Sequence, residues 1–162
     1  VYILTAFLNF INVMKSLFEK TSTDEIIKRI ENLTSQTERK WGKMDVSQML
    51  AHCSVAMDLA LGNTFPPRVL IGKIFGRIFR PMYSNERPFS KNSPTDKRFI
   101  FKDKRDFDFE KKQLIEKLHQ FQHGGEGNCT NHPHPFFGKI TTKEWGIGMY
   151  KHLDHHLRQF GV

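Results

Sequence analysis

The sequence predicts an all-α protein, a four-helix bundle with a long basic connection between helices two and three. Two observations carry that reading. Three capping boxes, Ser22 with Glu25, Asp45 with Gln48 and Thr141 with Glu144, occur in the chain, each leading into a run whose apolar residues recur three and four apart. Glycines stand where such runs should stop, at Gly62, at Gly124 and Gly125, and at Gly161.

Helix one is expected from about Thr23 to Gln36, with Ile26, Ile27, Ile30 and Leu33 on its inner face. Helix two opens at Asp45, buries Val46, Met49, Leu50, Cys53, Met57 and Leu61, and ends at Gly62 and Asn63. His52 lies at the edge of that apolar face, on the side of Met49 and Ala56. Helix three occupies about Asp108 to Gln122, with Leu114, Ile115, Leu118 and Phe121 inward. Helix four starts after Thr141, and its inward stripe runs Trp145, Met149, His152, His156, Gln159.

Three segments read otherwise. Residues 1–13 are apolar without a basic start or a cleavage signature, and are expected to be a leader or upstream extension of a single domain spanning 14–162. Between helices two and three, Pro66 to Pro81 interleaves Arg68, Lys73, Arg77 and Arg80 with Val, Leu, Ile and Phe. The run reads either as a short amphipathic helix against anionic lipid or, since Gly72 and Gly76 weaken a helix there, as a lid over the end of the bundle, the favoured reading, followed by an extended loop over 82–107 with one strand-like moment at Arg98 to Lys102. The glycine- and proline-rich stretch after Gln122 holds Cys129, His132 and His134, and its composition argues against regular structure.

Charge and cysteine content narrow the classes of function. The net charge of +8 is local: residues 68–105 hold 11 Lys or Arg against 3 Asp or Glu, and the remainder is balanced. A cationic surface spread over the whole fold would have suited a nucleic-acid binder better. Cys53 and Cys129 are too few for a disulfide framework and read as reduced thiols of a cytoplasmic protein. No apolar run approaches the roughly 20 residues that cross a bilayer.

His152 and His156 stand at i and i+4, one turn apart on a stripe that is otherwise mostly apolar, close enough to share one metal ion. Two imidazoles on an inward face need partners, and His52 on the inner face of helix two is the candidate third.

Three stretches resemble the DinB-like superfamily of metalloenzymes: Trp41-Gly42-Lys43-Met44 with Gln48-Met49-Leu50-Ala51-His52-Cys53, then His134-Pro135-Phe136-Phe137-Gly138, then Lys151 to Phe160. The resemblance covers about Met14 to Phe160 and is greatest to a branch of unknown function. It implies a four-helix bundle, often a homodimer, that binds a divalent ion through three histidines, which here are His52, His152 and His156. Relatives in that superfamily include bacillithiol S-transferase and mycothiol-dependent maleylpyruvate isomerase, so the implied substrate is a small molecule and the recurring class a low-molecular-weight thiol.

The chemistry of such a site is concrete. Three imidazoles suit Zn²⁺ or Ni²⁺ and leave a coordination position open, where a bound water or a thiolate would be the reacting group. His134, His155 and Gln159 are candidates for orienting the ligands or for acid–base work, and Arg68, Lys73, Arg77 and Arg80 for holding an anionic substrate. Leu153 stands where a zinc protease motif needs Glu, and no PCxxC deaminase motif occurs. The reading is a metal-dependent transferase or hydrolase. The alternative is a binding module whose 68–105 segment grips nucleic acid or phospholipid.

Overall fold

The computed structural model describes residues 14–162. The expectation of a leader over residues 1–13 lies outside them. The described chain is all-helical, with five helices in place of the expected four: α1 (Lys20–Glu31), α2 (Val46–Leu61), α3 (Leu70–Tyr83), α4 (Phe107–Gly124) and α5 (Thr142–Phe160). Among the described residues there is no β-strand, and no helix is long and apolar enough to cross a membrane.

Two of the three capping boxes form. The Asp45 carboxylate accepts from the Gln48 N–H at 2.8 Å while Gln48 Oε1 accepts from the Asp45 N–H, and Thr141 with Glu144 closes the same reciprocal pair ahead of α5. The Ser22–Glu25 box does not. Here α1 begins three residues earlier than expected, after Glu19, and both hydroxyls are buried inside it. Thr23 Oγ1 donates to the Leu17 carbonyl at 2.8 Å, and Glu25 accepts from the Tyr150 hydroxyl at 3.0 Å, so neither side chain serves the helix end. The helix also stops at Glu31, short of Gln36, where Lys111 of α4 donates to the carbonyls of Glu31 and Leu33.

α2 packs on α4 and α5, and α1 packs on the same two helices. Their apolar stripes meet in one core that includes Ile26, Ile30, Leu50, Met57, Leu114, Leu118, Phe121, Trp145 and Leu153. Polar ties set the rotation of each helix. Asp154 lies opposite the histidine stripe of α5 and pairs with Arg29 of α1 at 2.8 Å, which turns His152 and His156 toward α2. Lys117 of α4 pairs with Asp58 of α2 at 2.7 Å.

Of the segment expected to be a lid and loop, 84–106 is irregular apart from one short turn, as expected, and the departure lies in the lid portion. Residues 70–83 form a full helix despite Gly72 and Gly76, because those glycines face inward and press on the backbone of Phe136; a Cβ at either would collide with the Phe136 carbonyl. Lys97–Phe99 is a short 3₁₀ turn capped by Asp96, where a strand-like stretch was expected. The loop after α4 likewise contains a 3₁₀ turn, Glu126–Asn128, and an isolated antiparallel bridge between His134 and Gly138.

Thr141→Ala should lower the free energy of unfolding by about 1 kcal/mol by orphaning the Glu144 N–H at the start of α5. Denaturant unfolding checks this: the midpoint should fall with the slope unchanged.

Candidate metal centre

Each member of the histidine cluster arrives by a separate route. His52 sits mid-way along α2, on the face that meets α5, and is only 4% exposed. His152 and His156 come from successive turns of α5. The three ring centroids form a near-equilateral triangle with sides of 5.0, 4.8 and 4.7 Å, and one ligand nitrogen from each ring lies within 4.8 Å of the others. Among the described residues no carboxylate or thiol joins this group.

The hydrogen bonds around the cluster decide which nitrogens are free. His52 Nδ1 lies 2.9 Å from the Phe99 carbonyl, which can only accept, so Nδ1 carries the proton and Nε2 presents a lone pair. Gln159 works in two steps. Its Nε2 donates to the Trp41 carbonyl at 2.8 Å, which turns its Oε1 toward His156 Nδ1, also at 2.8 Å. That oxygen can only accept, so His156 is likewise protonated at Nδ1 and bare at Nε2. His152 Nε2 faces His52 Nε2 at 3.0 Å, while its Nδ1 is buried without a partner.

This donor set fits a divalent ion. Two Nε2 lone pairs are fixed by backbone carbonyls, directly or through one glutamine, and the third ring lies within reach. Nitrogens at a Zn–N distance of about 2.0 Å and tetrahedral angles would stand about 3.3 Å apart, inside the 4.8 Å span of this cluster. With His52 Nε2 bare, the 3.0 Å contact makes His152 Nε2 the donor in the metal-free protein, and an ion would take the place of that proton.

Burial also keeps the rings neutral, as metal ligation requires. Desolvation holds His152 well below the usual imidazole range and pushes His156 down to about 3, the neighbouring histidines adding to both. It lowers His52 as well, against the Phe99 hydrogen bond that pulls the other way.

The remaining candidate residues are placed differently. Gln159 touches a ligand directly. His155 stacks edge-on against His156 with ring centroids 5.1 Å apart, but its other faces meet Trp41 and Phe89. His134 Nδ1 accepts from the N–H groups of Phe136 and Phe137 at 3.1 and 3.2 Å, which makes it the lock of its own turn. Arg68 donates to the carbonyls of Gly72 and Phe136, and Arg80 grips Glu144 through two bonds of 2.7 and 2.6 Å. Lys73 and Arg77 extend from the exposed flank of α3. None of these four cations has a hydrogen bond or ion pair to the histidine cluster. Both cysteines are buried free thiols outside it; burial pushes Cys129 up to about 11 and Cys53 further.

Sequence reasoning missed the carbonyls of Phe99 and Trp41, because a backbone acceptor exists at every position. One signal was legible for the second. Gly42 follows Trp41 at φ +83°, and a Cβ there would strike Gln159 Nε2, so only glycine lets the loop approach. Sequence reasoning also missed Tyr83. Its ring lies 5.2 Å from His134 and 6.2 Å from Trp145, and both the Tyr83 hydroxyl and Trp145 Nε1 are buried without partners.

The fold and this centre define a helical protein with a buried three-histidine donor set. The chain matches, over residues 13–161, the family described as a protein of unknown function, DUF1569, and it belongs to that family. No curated protein and no solved structure matches it.

Buried neutral histidines make the metal-free fold acid-sensitive. His134 and His156, both held down to about 3 by burial, ionise near 6.5 once the chain unfolds, so the unfolded state takes up protons first as pH falls. The stability these two neutral rings contribute is fully present above about pH 6.5 and is lost progressively as pH drops toward 3. Melting temperatures of metal-free protein across that range should show the loss. His134→Asn, whose side-chain oxygen can take over the acceptor role, should remove part of it.

Proposed function

We propose that this protein is a metal-dependent enzyme of the DinB-like type, holding one divalent ion, Zn²⁺ or Ni²⁺, at His52, His152 and His156. In this reading α1, α2, α4 and α5 are the four-helix bundle and α3 is an addition to it. The observation that carries the proposal is the pair of fixed tautomers: two independent backbone anchors aim the Nε2 lone pairs of His52 and His156 into one desolvated space.

The reaction class is transferase or hydrolase chemistry on a small molecule, with a low-molecular-weight thiol as the favoured substrate and the cytoplasm as the setting. A divalent ion in such a site supplies Lewis acidity and makes a coordinated thiol or water a better nucleophile near neutral pH. The chain's own groups do the positioning. Phe99 and Gln159 hold two imidazoles in register, and burial keeps all three unprotonated.

A nucleic-acid module built on residues 68–105 is the weaker reading. Arg68, Arg80, Arg98 and Arg105 are already engaged by carbonyls or by Glu144, Asp96, Asp103 and Glu110, which leaves Arg77 and Arg87 as the segment's arginines free to meet phosphate.

Elemental analysis of purified protein should find about one divalent ion per chain. His52→Ala should abolish it, and a wild-type metal load in that variant would overturn the proposal. Gln159→Leu, which frees the His156 tautomer, should weaken metal affinity by about 10- to 100-fold while leaving the ion stoichiometry intact at saturation.

A further inference from the structure

α3 turns its apolar side to solvent. Leu70 is 77% exposed, Ile74 and Ile78 are each 69% exposed, and Ile71 and Met82 are more than half exposed. On a helix these five residues share one face. A contiguous apolar surface of this kind on a folded protein marks an interaction site.

The exposure is built in. Gly72 and Gly76 press against the Phe136 backbone on the opposite side, where no Cβ would fit. Val69 N–H donates to the Pro135 carbonyl at 3.1 Å, Arg80 is clamped to Glu144, and Lys151 donates to the Met82 carbonyl at 2.7 Å. Pinned at both ends and seated on its glycines, α3 cannot roll to bury its isoleucines in the core.

Charge selects what covers the face. Lys73 and Arg77 border it, and no Asp or Glu occurs between Asp58 and Glu86. A second copy meeting the same face would bring cations against cations with no acidic partner on either helix, at a cost in repulsion. An anionic lipid surface offers both an apolar layer and the complementary charge.

We propose that α3 is an interfacial membrane anchor: Leu70, Ile71, Ile74, Ile78 and Met82 bed among the headgroups of an anionic phospholipid bilayer while Lys73 and Arg77 pair with lipid phosphates and carboxylates. The anchor lies in the plane of the surface and does not span it. It is independent of the histidine cluster, so it holds or fails separately from the metal reading.

The test is co-sedimentation of the full chain with phosphatidylcholine vesicles, with and without phosphatidylserine. The wild type should pellet with the phosphatidylserine vesicles and much less with phosphatidylcholine alone. Ile74→Glu with Ile78→Glu should lower partitioning at least about tenfold. Lys73→Gln and Arg77→Gln should each cost about fivefold on the anionic vesicles only. All these side chains are exposed, and an unchanged circular dichroism spectrum shows that the variants fold. His152→Ala should bind as the wild type does. Failure to pellet overturns the proposal, whether the chain stays monomeric or sediments as a dimer that the double variant dissociates. Vesicle binding that survives the double isoleucine change also overturns it, since another part of the chain would then hold the lipid.

Discussion

Three imidazoles share one desolvated space with no carboxylate among the described residues to balance a charge, and the surrounding structure is arranged to keep them neutral and oriented. A protonated ring there would be an unpaired buried cation, which is expensive. The neutral form in turn needs a tautomer, and a tautomer needs an acceptor. Hence the chain's otherwise irregular segments have definite tasks: the 97–99 turn exists where it can offer the Phe99 carbonyl, and the Trp41–Gly42 loop where it can hold Gln159. The Arg29–Asp154 pair acts at longer range, fixing the rotation of α5 that brings His152 and His156 to face His52.

The same economy explains α3. A helix with strongly separated apolar and polar sides ordinarily buries its apolar side. Here two glycines give the closest approach to the loop at Phe136, so the small side seats on the protein and the large apolar side is left outside. Tyr83, at the end of the helix, is its one large side chain that enters the core, where its ring reaches Trp145 and His134. The helix is thus tied to the core through Tyr83, and no hydrogen bond or ring contact joins it to the three clustered histidines.

The positive excess of residues 68–105 also resolves into particulars. Arg68, Arg80, Arg98 and Arg105 are held by carbonyls and carboxylates within the fold, Lys91 lies 4.6 Å over the Trp41 ring, and Lys73 and Arg77 remain on the outer flank of α3. A segment that looks uniformly cationic in sequence divides, in three dimensions, into arginines that tether the fold and cations such as Lys73, Arg77 and Arg87 that do not. The local arrangement decides function more than the sum does.

What the sequence by itself determined was the helical class, the boundaries of α2 and α5, and the identity of the three clustered histidines. Those depend on short-range rules: a capping box is read within four residues, and an HxxxH spacing within one turn. Where a residue had a tertiary partner to satisfy, local rules failed. Ser22 and Thr23 look like a helix start and are instead buried in α1; Gly72 and Gly76 look like helix breakers and are instead its contact face. Only the tertiary structure decided that His134 locks a turn, that Arg68 and Arg80 are structural, and that Phe99 and Trp41 control the imidazoles. The reason is physical. A side chain announces its chemistry in sequence, but which backbone carbonyl will accept its hydrogen bond is set by residues 47 and 118 positions away.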